Sequence, residues 1–269
     1  MAKKLEAQTV EIQPIKMRSV IVFLVGTSPL IMHRFAFKAW QELLYPAPKK
    51  NAAERASSLK HQPLEEFRGC LYRNRDSSQP ALFHIPNGMP HQCLTAAALD
   101  TPGATRAAME RWTSVVDLNI NLFGVPQLFM AMVRNSDMNR TPDVRTRPIF
   151  PKWACQIKID YKVDPLTDTS IMNLLGTAGV IVGMGDWRPQ KGGPYGKFRL
   201  CSANDKEYLD IVRKQGRAAQ QKAFEQPSYW DDDTAELMTW FLEEVARRRQ
   251  DDDRVIDPGT EVKPESPLQ

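Results

Sequence analysis

The segment Trp153-Ala-Cys-Gln-Ile-Lys-Ile-Asp-Tyr-Lys-Val163 alternates along its length, with Cys155, Ile157, Ile159 and Tyr161 opposing Gln156, Lys158, Asp160 and Lys162. A period of two places one set in a core and the other toward solvent, so the stretch reads as a half-buried β-strand. Working outward, Asp164-Pro165 breaks it, and Thr169–Val182 is a mostly apolar helix with Ser170 or Thr167 as the N-cap. The chain's one glycine-rich loop, Gly183–Gly196, follows and feeds a strand at Lys197–Cys201. Upstream, Val115–Phe123 alternates through Val116, Leu118, Ile120 and Leu122, and Gln127–Val133 is a further strand. Met17–Gly26, rich in β-branched and aromatic residues, is the first strand and ends at Thr27-Ser-Pro29.

Between the first strand and Val115 lies a helical excursion. Ala36–Leu44, Leu64–Leu71, Gln92–Leu99 and Thr105–Thr113 read as helices, with a short strand at Leu82–Ile85 and an irregular apolar segment at Leu30–Phe35. Arg134–Arg147 holds few large apolar residues and reads as a projecting loop or hairpin tip; Asn204–Phe224 and Thr234–Arg249 are amphipathic helices. Strands and helices do not alternate regularly enough for a doubly wound sheet. The expected class is α+β, with a ferredoxin-like (RRM-like) core over residues 17–225 and a large insertion at about 36–113. An N-terminal arm (1–16) precedes it, and a C-terminal helical extension (226–269) with a disordered end follows.

The 269 residues carry 36 Lys+Arg against 32 Asp+Glu, a net charge of only +4. That average hides an asymmetry. From Gln226 onward twelve acids face five bases and leave −7, while the 31 bases and 20 acids of residues 1–225 leave +11. A basic body with an acidic appendage points to a polyanionic partner. A 42% apolar composition excludes a wholly disordered chain. No apolar run approaches the roughly 18–20 residues that span a bilayer, and no signal-peptide pattern follows the initial Met-Ala-Lys-Lys, so a cytoplasmic protein of a bacterial host cell is expected.

Cys70, Cys93, Cys155 and Cys201 are far apart, and His33, His61, His84 and His91 match no zinc spacing, so no metal and no cofactor is expected. GxSxG and HExxH motifs are absent. The glycine loop fails as a Walker motif. Lys191 stands where the first glycine is required and Phe198 where Ser or Thr would bind magnesium, and a helix precedes it instead of a strand. What it does offer is a backbone open to close approach at Gly183, Gly185, Gly192, Gly193 and Gly196. Trp187 and Tyr195 suit stacking, and Arg188, Lys191, Lys197 and Arg199 are opposed only by Asp186. Cations for phosphates and rings for unpaired bases suit a single strand. A local aromatic turn explains the loop about as well. A second basic run, Arg134, Arg140, Arg145, Arg147 and Lys152, faces only Asp137 and Asp143, although solvated charge is the usual reason for such a run. Ser28–Arg34, with His33 and Arg34, is a third candidate.

The first strand ending in Thr27-Ser-Pro-Leu30, together with the late Gly183–Gly196 loop feeding Lys197–Cys201, resembles the RAMP superfamily of CRISPR proteins. With Trp153–Val163 and the helix before the loop, the chain looks like phage- or prophage-encoded proteins similar to the Cascade-type backbone subunit. The resemblance covers Met17–Phe35 and Val115–Ala203. It implies a non-catalytic protein that coats a single-stranded guide RNA as a homo-oligomer and displays bases to a complementary DNA or RNA target. The Arg134–Arg147 segment would be a nucleotide-displacing hairpin, the glycine loop part of a palm, and Ala36–Thr113 an inserted finger region. The acidic tail has no counterpart in that pattern. Two other readings stand beside it: a phage single-stranded DNA-binding or recombination protein, for which an acidic tail recruits partners, and a RAMP-like endoribonuclease with His33 as general base.

Overall fold

A computed structural model describes residues 14–35, 44–45, 61–134 and 141–255, the last seven without their side chains. All but Leu44 of the helix expected at Ala36–Leu44, the tip of the basic run with Arg140, and the chain end lie outside these residues. The chain is mixed α and β, and all its strand pairs within the two sheets are antiparallel.

The alternating segment is central. Nine strands are described: β1 (Met17–Gly26), β2 (Leu30–Ile31), β3 (Phe83–Pro86), β4 (Thr113–Val115), β5 (Asn119–Phe123), β6 (Gln127–Arg134), β7 (Pro142–Phe150), β8 (Ala154–Lys162) and β9 (Phe198–Cys201). The larger sheet has the order β3-β5-β8-β1-β9, with β4 also on β8. β8 pairs along its whole length with β1, Val20 opposite Ile159 and Leu24 opposite Cys155. Cys155, Ile157, Ile159 and Tyr161 are buried as their period requires.

α1 (Pro63–Gly69) packs on β7 and β6, and one face of the larger sheet packs on α2 (Gly88–Ala97), α3 (Arg106–Trp112) and α4 (Asp168–Thr177), around Leu24, Phe83, Ile157, Leu94 and Leu175. The opposite face packs at one end on α5 (Lys206–Lys214), through Val25, Phe123, Ala154, Tyr208 and Ile211. Thr167 caps α4, its hydroxyl accepting from the Ser170 N–H at 3.1 Å in a reciprocal capping box. A π-helical turn at Ala178–Val182 ends α4 and delivers the chain to the glycine loop.

Three expected elements differ. Val115–Phe123 is two strands, because the chain leaves β8 after Val115 and β5 re-enters opposite Cys155, leaving Val116 and Leu118 exposed. Asn204–Phe224 is α5 followed by α6 (Arg217–Glu225), with the break at Gly216. That break turns α6 so that Gln220, fully buried, accepts from the Leu82 N–H (2.7 Å) and donates to the carbonyls of Leu122 (2.7 Å) and Gly124 (2.9 Å). Of Arg134–Arg147, expected as a projecting loop or hairpin tip, the residues from Pro142 onward already pair with β6 as β7, whereas the strand expected at Leu82–Ile85 is β3 of the large sheet.

The smaller sheet, β2-β7-β6, is a long hairpin with β2 along its base. α7 (Asp232–Val255) packs on β6. The Met130 N–H donates to Thr234 Oγ1 (3.2 Å), and Met238 is buried, so the helix face in contact runs through 234 and 238 while Leu237 and Trp240 stay exposed. Among the described residues no helix is long and apolar enough to cross a membrane.

Candidate functional site

The two sheets are joined by the glycine loop. The Thr27 N–H donates to the Lys197 carbonyl (2.8 Å) and the Gly196 N–H to the Pro29 carbonyl (2.7 Å), so the turn after β1 and the entry to β9 are laced together. Trp153, fully buried, donates Nε1–H to the Ser28 carbonyl (2.9 Å) and holds that turn from below. On the other side the Asp186 N–H donates to the Ile31 carbonyl (2.9 Å). Two glycines make this approach possible. A Cβ at Gly185 (φ 77°) would meet the Ile31 carbonyl, and one at Gly196 (φ 73°) the Met184 carbonyl.

Asp186 is the electrostatic centre. Its Oδ2 lies 2.6 Å from Arg147 Nη1 and 3.7 Å from His33 Nδ1. Burial and the Arg147 charge hold the His33 imidazole below its usual pKa despite the opposing pull of Asp186. The three sequence candidates, loop, basic run and Ser28–Arg34, therefore meet at one carboxylate. Beside it opens a cleft of about 370 Å³ lined by His33, Tyr72, Met89, Gln92, Asp186 and Arg188. Arg188 donates to the Gly185 carbonyl (3.0 Å) and to Gln190 Oε1 (3.0 Å), which fixes the guanidinium at the cleft wall. Trp187, at φ 50° and 42% exposed, sits 5.5 Å from the Tyr195 ring, which in turn lies 6.4 Å from Phe129 on β6. This aromatic row ties the loop to the hairpin and leaves the indole accessible.

The loop's glycines shape it more than they present donors. The N–H groups of Gly183, Gly192, Gly193 and Gly196 donate to the carbonyls of Ala178, Pro189, Arg188 and Pro29. Lys191 is exposed, and Lys197 is half-buried beside Ser28.

Of the remaining cations only Arg147 reaches this centre. Arg147 is 15% exposed in its side chain and faces Asp186, so its charge serves the junction. Arg145, opposite Ala131, lies 3.4 Å from Asp143, whose carboxylate also meets His61 Nε2 at 2.9 Å. His61 continues to Glu66 at 2.7 Å, a chain of contacts that fastens α1 to the hairpin. Arg134 is exposed five residues beyond Phe129, about 17 Å farther along β6. Lys152 is exposed and feels Asp210 of α5 instead. Arg199 forms ion pairs with Asp205 (2.9 Å) and Glu207 (2.8 Å), bracing the start of α5. Arg34 stands over Tyr72, 5.9 Å from the ring centroid, on the far side of the His33 cleft.

Sequence reasoning passed over Tyr72, Met89 and Gln92, which no motif marks. The approach of Tyr72 to His33 depends on the Arg34 N–H donating to the Cys70 carbonyl (3.0 Å), a long-range contact. Among the described residues no group of three or more His, Cys, Asp or Glu could hold a metal ion. No family model matches the chain, and no curated protein matches it.

Proposed function

We propose that the chain binds single-stranded nucleic acid through the glycine loop and the cleft at Asp186, and that it does so as a non-catalytic guide-RNA-binding backbone subunit that oligomerises along RNA. The observation that carries this reading is the convergence of the loop, the His33 segment and β7 on Asp186, with Trp187 and Arg188 beside an open cleft. An accessible indole offers a stacking surface, and Arg188, Lys191 and Lys197 supply cations along one loop. The strand order β9-β1-β8-β5, with helices in the two crossovers, supports a ferredoxin-like core. The hairpin β6–β7 between its second and third strands supports the comparison with RAMP backbone proteins.

The test is purification at low salt followed by sequencing of any copurifying strand, with competition between RNA and DNA of equal length. The reading expects a large oligomer carrying RNA of defined sequence. It expects RNA affinity to fall with salt at a log–log slope of about −2, from three loop cations at roughly −0.7 each. Preference for DNA would favour the single-stranded DNA-binding alternative. RNA cleavage lost in His33→Ala would favour an endoribonuclease. A monomer that binds neither strand would refute the proposal.

A further inference from the structure

A second cleft lies on the other side of Tyr72 from the Asp186 site, and no sequence motif announced it. Its volume is about 630 Å³, within the range of small-ligand pockets. Arg34, Tyr72, Arg73, Arg75, His84 and Arg217 line it. A neighbouring recess of about 410 Å³ shares Arg73, Arg75 and His84.

The cleft is cationic, and Arg34, Arg73 and Arg217 are held in place. Arg73 lies 4.4 Å from the centroid of Phe224 on α6, and Arg34 stands over Tyr72. Arg217 Nη1 donates to the carbonyls of Asp76 (3.0 Å) and Gln79 (3.2 Å). Arg34, Arg73 and Arg75 form no ion pair among the described residues. The one acid at the rim, Asp76, accepts from the Ser78 N–H (2.9 Å), the Ser78 hydroxyl (2.8 Å) and Gln79 Nε2 (3.3 Å), so its oxygens are turned into their own loop.

His84 forms part of the wall. His84 is 9% exposed and lines both recesses, yet its Nδ1 has no hydrogen-bond partner among the described residues. Buried polar atoms are nearly always paired, and this nitrogen, itself closed to solvent, leaves the ring held by packing in a wall that arginines share. The His84 and Tyr72 rings, with centroids 5.7 Å apart, add an aromatic wall.

We propose that this cleft binds a nucleotide, the phosphate held by Arg73 and Arg75 and the base against the Tyr72–His84 wall. The nucleotide is either free or one unit of a single strand. In the second case the inference rests on the function proposed above, and the strand passes over Tyr72 from one cleft to the other.

The experiment is calorimetric titration of the full chain, freed of nucleic acid, with adenosine 5′-monophosphate and with a 12-nucleotide single-stranded RNA. The variants are Arg75→Glu, an exposed position that leaves packing intact, Arg73→Ala, and Arg188→Ala at the other cleft. Mononucleotide affinity reduced at least tenfold in Arg75→Glu and Arg73→Ala establishes the site with a free nucleotide. The same loss for RNA, with no mononucleotide binding, establishes it as a strand unit. Mononucleotide binding without any RNA binding keeps this inference and removes the proposed function. RNA affinity lowered by Arg188→Ala alone, with no cleft-dependent binding, does the reverse. Unchanged affinity for both ligands in both cleft variants overturns the inference, as does a wild-type chain that binds neither.

Discussion

Gly196→Ala should separate a strained backbone from a blocked one. Gly196 holds φ 73°, a left-handed conformation costing an alanine roughly 1–2 kcal/mol. Its Cβ would also fall on the carbonyl of Met184, a fully buried residue whose N–H is bonded back to Gly196. Relieving such an overlap costs about 1–3 kcal/mol. The same movement stretches two hydrogen bonds, Gly196 N–H to Pro29 (2.7 Å) and Met184 N–H to Gly196 (2.9 Å). The sum is about 3 kcal/mol, and at roughly 2–4 °C per kcal/mol for a chain of this size Tm should fall about 6–12 °C. Gly192→Ala is the control. Gly192 has φ 76°, but a Cβ there meets nothing within 4 Å, so only the conformational cost of about 1–2 kcal/mol applies. Paired thermal melts by circular dichroism decide the matter. If the two variants melt within about 2 °C of each other, the loop yields at Met184 and the reasoning about its closed throat is wrong.

Gln220→Ala removes a side chain that satisfies the Leu82 N–H and two carbonyls inside the sheet edge, and should cost about 3–5 kcal/mol in urea unfolding, since each stranded buried group costs about 1–3 kcal/mol. Asp186→Asn should lower the pKa of His33 further, because Asp186 is the group that raises it, and an NMR titration of the imidazole checks the sign. Burial holds both His33 and His84 below 6.5, so the folded state takes up protons less readily than the unfolded chain. Stability present above pH 6.5 should therefore be lost as the pH falls toward the lowered values, and Tm measured from pH 7.5 to 5 should drop less in a His33→Gln/His84→Gln variant. Burial also pushes the thiols of Cys70 to about 11 and of Cys93 and Cys155 to about 12, so native protein at pH 8 should leave all three unalkylated while unfolded protein reacts at once.

Local periodicity determined much of the chain. The alternation of Cys155 to Tyr161 placed β8 and the β-branched run placed β1, while of the two N-cap candidates, Ser170 and Thr167, it is Thr167 that caps α4. These signals are local, because each residue's face follows from its neighbours in the same element. Periodicity misread Val116 and Leu118, since alternation cannot say where a strand leaves its partner. It also misread Asn204–Phe224, where a buried Gln220 bonded to three distant backbone groups outweighs helical continuity across Gly216.

The candidate site divides in the same way. Composition and spacing marked the glycine loop with Trp187 and Arg188, and the split of charge between body and tail marked the chain as basic where it matters. Which arginines face solvent was decided by tertiary structure alone. Arg147 and Arg199 read from sequence like Arg188, but one meets Asp186 and the other meets Asp205 and Glu207. His84 and Arg73 carried no motif, and they share a cleft with Arg217 across more than 130 residues of chain because β3, the Tyr72–Arg75 turn and α6 pack together. A sequence determines a residue's charge and periodicity, whereas its counter-ion comes from whatever the fold brings within a few ångströms, and that distance is set by packing between remote elements.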